Sequence, residues 1–199
     1  MAHPKIIVLA FSLHFIIISN GHAMKNLEYA TLGGGCFWCI EAVFQRLDGV
    51  VSVVPGYAGG PTKTTTYKEV CTGNTGHAEV ARIEYDKDII SFKQLLNVFW
   101  QAHDPTTLNR QGNDIGTQYR SVIFYHDTKQ KEIAMNSKKN ADRSKYWKNK
   151  IVTEIKEILN YSDAEDYHNN YYDNNPNQPY CIFVIKPKLD KLIKEGIIK

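Results

Sequence analysis

Long apolar runs, internal repeats, low-complexity tracts and a surplus of one charge are all missing from this 199-residue chain. The most apolar stretch, Ile6 to Ile18, is too short to span a bilayer comfortably. Lysines and arginines number 24 against 21 acidic residues, a formal net charge of +3. That balance argues against nucleic acid or an anionic membrane surface as a partner. The lysine-rich stretch from Lys129 to Lys150 reads as a solvated helix face. Cysteines number only 4, and a second close pair beside Cys36 and Cys39 is absent, which argues against a four-cysteine zinc centre. A domain of this size with 12% aromatics scarcely needs a disulfide framework, so redox work is the better use of Cys36, Cys39, Cys71 and Cys181.

The first 23 residues read as an address. Lys5 supplies a positive start, Ile6 to Ile18 an apolar centre, and Gly21-His22-Ala23 a small-x-small cleavage site. The expectation is a signal peptide over residues 1–23 and one domain over 24–199, exported to a periplasm or secreted. A start at Met24-Lys25 would instead leave the protein cytoplasmic.

What is present centres on Gly33-Gly34-Gly35-Cys36-Phe37-Trp38-Cys39-Ile40-Glu41. Phe37, Ile40, Val43, Phe44 and Leu47 recur at helical spacing, so a helix starting near Cys36 would bury that stripe and leave the thiol at its N-terminal end. There the helix dipole and free amides favour a thiolate. A buried cysteine beside an ordinary turn is the plain alternative. The flanking aromatics and Cys39 favour chemistry.

In chain order, Leu27 to Leu32 reads as a strand, Cys36 to about Leu47 as a helix, Val50 to Val54 as β-rich, and Pro55 to Pro61 as a loop. Tyr67 to Cys71 reads as extended. The strand His77 to Tyr85 alternates, placing Glu79 on one face with Ala81 and Ile83. Ser91 with Gln94 forms a capping box before a helix striped by Phe92, Leu95, Leu96 and Phe99. Asn109 to Thr117 reads as a functional loop, Gln118 to Tyr125 as a strand, Asp127 or Thr128 as the cap of the lysine-rich helix, and Ile151 to Ile155 as a strand. Ala164 to Tyr172 reads as a short helix, Ile182 to Ile185 as a last strand opened by Cys181, and Pro187 as the start of a closing helix. The irregular alternation reads as a single α+β domain, a mixed β-sheet with packed helices.

Several chemistries fit these residues. Cys36 and Cys39 could exchange disulfides as a C-x-x-C pair. His168, His77 or His103 could pair with Cys36 in a peptidase dyad. Glu79 on an apolar face is either salt-bridged or, if desolvated beside Cys36, a proton donor near neutral pH. Tyr67 and Tyr119 could donate to a substrate oxygen or be core residues, and Asp114 is by default a turn former. A secreted binding module with structural disulfides is the non-enzymatic alternative.

Gly35-Cys36-Phe37-Trp38 with Glu41, Gly56-Tyr57-Ala58-Gly59-Gly60, Tyr67 to Cys71, Thr75 to Glu79, His103-Asp104-Pro105, Gln111 to Ser121 and Ala164 to His168 occur in that order. In this the chain resembles the A-type peptide-methionine (S)-S-oxide reductases over essentially all of residues 24–199. The resemblance implies an α+β fold with a ferredoxin-like core and a metal-free enzyme without a cofactor, recycled by a thioredoxin-like protein or a dithiol. It implies that Cys36 attacks the sulfoxide sulfur, Glu79 protonates the oxygen, Tyr67 and Tyr119 hold that oxygen, and Phe37 and Trp38 receive the methyl group, with Asp114 among the site residues. Free methionine sulfoxide and oxidised proteins would be the substrates, and the protein a monomer. Many members carry Gly where Cys39 stands and resolve the sulfenic acid with a C-terminal cysteine. Here Cys39 and Cys181 are both candidates, with Cys39 nearer in sequence, and Cys71 is read as structural.

Overall fold

The computed structural model describes residues 26–199 apart from Lys145, so the expected leader and the alternative start at Met24 lie outside the described residues. The chain enters through β1 (Leu27–Gly34), fully buried from Ala30 onward. It then turns through Gly35 into α1 (Phe37–Phe44), whose N-cap is Cys36. The helix stripe forms as expected. Phe37, Ile40, Val43 and Phe44 are all at most 1% exposed, each contributing about 1.5–3 kcal/mol by burial. The helix ends at Phe44 rather than near Leu47.

β2 (Val50–Ala58) continues through Pro55-Gly56-Tyr57, a stretch whose composition reads as loop. Pro55 keeps its carbonyl, which accepts from the Ala164 N–H at 2.9 Å, so the missing proline donor costs the sheet little. Tyr67 to Cys71 is likewise not extended. It carries α2 (Tyr67–Val70), nucleated by a capping box between Thr66 and Glu69. β3 (Ala78–Asp86) pairs with both β1 and β2, and α3 (Phe92–Ala102) starts at the expected Ser91–Gln94 capping box.

The polar loop contains a small hairpin, β4 (Arg110–Gln111) with β5 (Asp114–Ile115). A 3-10 turn, Thr117–Tyr119, follows, so β6 (Ser121–Tyr125) starts later than its composition suggests. Asp127 caps α4 (Thr128–Arg143) by accepting from the Gln130 N–H, and β7 lies at Glu154–Glu157, three residues past the expected start. After β8 (Ser162–Asp163) the expected helix from Ala164 is broken. A 3-10 turn, Asp166–His168, and α5 (Tyr171–Asn174) are separated by Asn170 in the left-handed conformation, φ 54°.

The expected last strand is a π-helical segment, Cys181–Ile185, running into α6 (Lys186–Lys194). Buried Cys181, Ile185, Leu189 and Leu192 fall at helical spacing, and that periodicity outweighs the β-branched composition of Ile182 to Ile185.

The main sheet runs β7-β6-β1-β3-β2-β8 and is mixed, because β7 pairs parallel to β6 while the other pairs are antiparallel. Its central order β6-β1-β3-β2, with α1 and α3 as crossovers, is the ferredoxin-like arrangement. Ala81 and Ile83 of β3 join the main core with α1 and α3, while Ala78 and Val80 join a second cluster with Val122 and Phe124 on the other face. Two glycines are needed where the sheet meets α1. A Cβ at Gly33 would stand 2.8 Å from Val122 and 2.9 Å from the Glu79 carbonyl, and Gly35 has φ +93° with Gln111 2.6 Å from where its Cβ would be.

Candidate active site

The period of β3 and the start of α1 bring Glu79 and Cys36 together. Glu79 shares the core face of β3 with Ala81 and Ile83, and its Oε2 accepts from the Phe37 N–H at 3.1 Å, one of the free amides at the start of α1. The carboxyl is 1% exposed, and no lysine or arginine pairs with it among the described residues. Burial pushes its pKa up to about 8, with the charges of Asp114 and Cys39 adding to the rise and the Phe37 amide opposing it. Glu79 is therefore protonated at neutral pH, the state a proton donor needs.

Cys36 is 7% exposed and Cys39 3%, and the Cys39 N–H donates to the Cys36 carbonyl at 3.1 Å, so the two thiols leave the same first turn of α1. Burial pushes the Cys36 thiol up, whereas the neighbouring Cys36 thiol, against the effect of burial, brings Cys39 down to about 6. The helix-dipole argument places the resting thiolate on Cys36. Burial disfavours ionisation of both thiols, and ionising either one disfavours ionising the other, so the pair loses its protons in two linked steps.

Tyr67 and Tyr119 are half-buried against this group, and burial, followed by the charge of Glu79, pushes both phenols up, so each hydroxyl stays protonated as a donor. Phe37 and Trp38 have ring centroids 6.1 Å apart, and Tyr67 stacks on Phe37 at 6.3 Å, which makes an apolar wall beside the thiol. Asp114 does more than shape a turn, since its Oδ2 accepts from the Tyr180 hydroxyl at 2.6 Å. That hydroxyl lies 3.9 Å from the Cys39 sulfur, and the Tyr180 ring meets Trp38 edge-on at 5.9 Å. Tyr180 joins the site although no motif or periodicity marks it. Its position next to Cys181 was the one available signal.

Cys181 is fully buried, and its thiol is pushed up by burial and then by the nearby charge of Cys39. Cys71 is exposed at the C-cap of α2, against the Tyr67 hydroxyl.

None of the three histidines serves Cys36. His168 Nδ1 accepts from the Trp38 Nε1–H at 3.1 Å, which places its own proton on Nε2, facing Glu165 at 3.8 Å. His103 donates from Nδ1 to the Phe99 carbonyl and accepts at Nε2 from Ser121, each at 2.7 Å. His77 contacts the Gly60 N–H and the Thr62 hydroxyl. Among the described residues no three His, Cys, Asp or Glu side chains converge as a metal site, and no helix is long and apolar enough to cross a membrane.

Comparison with known proteins gives the same reading. The sequence profile of the family described as peptide methionine sulfoxide reductase matches residues 28–199. The peptide methionine sulfoxide reductase MsrA of Leptospira borgpetersenii serovar Hardjo-bovis is 53% identical over 170 residues, covering 85% of this chain and 96% of that protein. Among solved structures, Mxr1 of Saccharomyces cerevisiae in reduced form is similar with a TM-score of 0.73 and 38% identity, covering 79% of this chain and 90% of that one. The same yeast protein in complex with Trx2 matches with a TM-score of 0.53 and 28% identity over 75% of this chain and 86% of that one. With the cysteine, the buried acid and the aromatic wall assembled at one helix start, and with these matches across the domain, the chain belongs to the peptide methionine sulfoxide reductases, a family of enzymes.

Proposed function

We propose that this protein reduces the S epimer of methionine sulfoxide, free and in oxidised proteins, by thiol chemistry at Cys36. The observation that carries this is the neutral Glu79 carboxyl at the helix start that bears Cys36. A sulfoxide oxygen leaves only when it is protonated, and a buried acid with a pKa of about 8 supplies that proton at neutral pH. Tyr67 and Tyr119 hold the oxygen through their hydroxyls, and Phe37 and Trp38 receive the methyl group.

Cys36, as the thiolate, attacks the sulfoxide sulfur while Glu79 protonates the oxygen. Cys36–SH and the sulfoxide become Cys36–SOH and the thioether. The Cys39 thiol then attacks the sulfenic sulfur, releasing water and closing a Cys36–Cys39 disulfide. Cys39 is the first resolving cysteine in this reading because it shares the first turn of α1 with Cys36, its N–H donating to the Cys36 carbonyl at 3.1 Å, and Tyr180 and Asp114 adjoin it. A second exchange with Cys181, which feels the charge of Cys39, would carry the disulfide outward. A thioredoxin-like dithiol restores both thiols, as the yeast relative's complex with Trx2 suggests for that protein. Lys5, the apolar run and Gly21-His22-Ala23 support export after cleavage, to be checked by the mass of the mature N-terminus.

The function is tested by offering the separated S and R epimers of methionine sulfoxide with dithiothreitol. Methionine formed from the S epimer alone is the expected result, and no methionine from either epimer would overturn the reading.

A further inference from the structure

Glu41 is 1% exposed on α1 and faces no lysine or arginine side chain among the described ion pairs. A buried carboxyl is costly there, where an apolar residue would suffice to pack the helix. Its two oxygens are both engaged by one short segment: Oε1 accepts from the Asn170 N–H at 2.7 Å and Oε2 from the Tyr171 N–H at 3.2 Å. Asn170 adopts the left-handed conformation, φ 54°, and both amides meet the one carboxyl.

The same segment grips Trp38 from two sides. The Tyr171 ring lies flat on the indole, centroids 3.6 Å apart and planes 6° apart, and His168 accepts the indole N–H. Other ties between α1 and this segment are exposed: Gln45 to the Asn170 side chain at 2.7 Å, and Arg46 to Asp173 at 3.0 Å. Exposed pairs of this kind hold little. Burial pushes the Glu41 carboxyl up to about 7, the Asn170 and Tyr171 amides opposing the rise, and in its ionised form those two bonds are charge-assisted and stronger.

We propose that Glu41 is a positioning residue for Trp38: through the backbone of Asn170 and Tyr171 it fixes the plane of the indole that receives the sulfoxide methyl group, and so sets substrate affinity without touching substrate. This deepens the function proposed above and rests on it.

The test is steady-state reduction of methionine-S-sulfoxide with saturating dithiothreitol, using the full chain carrying Glu41→Gln, Tyr171→Leu and both together. At about pH 8, where a carboxyl of pKa about 7 is mostly ionised, Glu41→Gln removes one charge-assisted bond and sets an amide N–H₂ against a backbone N–H, so KM is expected to rise about tenfold while kcat stays within about twofold. Alkylation of Cys36 by iodoacetamide should also be unchanged. Tyr171→Leu keeps the carboxylate and both amides but loses the stack, and should raise KM by a similar factor. Because both variants act through one indole, the double variant should show no further rise.

An unchanged KM in Glu41→Gln, a product of the two factors in the double variant, or a fall in kcat with slower Cys36 alkylation would each overturn the proposal. If Glu41→Gln does not fold, Tyr171→Leu decides alone, since an unchanged KM there removes the link from the segment to the methyl pocket. A wild-type protein that leaves the sulfoxide unreduced would instead defeat the reading of function itself.

Discussion

Replacing Glu79 by Gln removes a transferable proton and almost nothing else. The amide has the same shape, its carbonyl can still accept from the Phe37 N–H, and its N–H₂ can still face a substrate oxygen. With a pKa of about 8, the wild-type carboxyl is about nine-tenths protonated at pH 7. General acids contribute about 10²–10⁴-fold, so the variant should lose about 3–5 kcal/mol of transition-state stabilisation. The assay is a single turnover of pre-reduced protein with methionine sulfoxide, which keeps recycling of the disulfide from masking the chemical step. The acid must hold its proton, so the wild-type rate should fall as pH rises through about 8, while the variant's lower rate shows no such step.

Stability should respond in the same window. The folded pKa lies above the unfolded value of 4.5, so the native state binds the extra proton and wild-type stability falls as pH rises from 4.5 to about 8. The Gln variant lacks that slope. A variant turning over within about threefold of wild type at pH 7 would refute the assignment of Glu79 as the acid.

Gly35→Ala should lower stability by about 1–3 kcal/mol in thermal melts, because φ is +93° there and the new Cβ would meet Gln111 at 2.6 Å. Unchanged melting would mean that the turn before Cys36 is looser than described. His103, held down to about 3 by burial, stays neutral in the native state while the unfolded chain takes up a proton near 6.5. Stability should therefore decline as pH falls from 6.5 toward 3, and His103→Gln should remove up to one proton from the acid-unfolding slope, whereas an identical slope would contradict this. Tyr180→Phe removes the hydroxyl that helps keep the Cys39 thiol acidic. Alkylation of Cys39 between pH 6 and 7 should slow, and an unchanged rate would show that Tyr180 does not act on that sulfur.

What the sequence made legible is what local periodicity encodes. Cys36 at a helix start follows from the glycines before it and the apolar stripe after it, and the facing of Glu79 follows from the period of two in β3. The helix at Tyr67–Val70 was signalled by Thr66 and Glu69, yet four residues are too few for a stripe to emerge. Composition misled at Pro55 to Ala58, where a proline carbonyl suffices for the sheet, and at Ile182 to Ile185, where β-branched residues sit in a helical segment. Tyr180 escaped because its partner Asp114 is 66 residues away. Glu41 stood in a recognised motif with no role, because what it binds is backbone 129 and 130 residues downstream. How charge divides between Cys36 and Cys39 depends on the burial of both thiols and on their effect on each other, neither of which a helix-start argument contains.

The most direct test of the account is a thiol count with disulfide mapping by mass spectrometry, on fully reduced protein before and after methionine sulfoxide is added with no other reductant. The account predicts the loss of two thiols per methionine released, with Cys36 joined to Cys39 in the first-formed product. Unchanged thiols and no methionine would contradict it, and a first disulfide from Cys36 to Cys181 with Cys39 still free would contradict the assigned order of resolution.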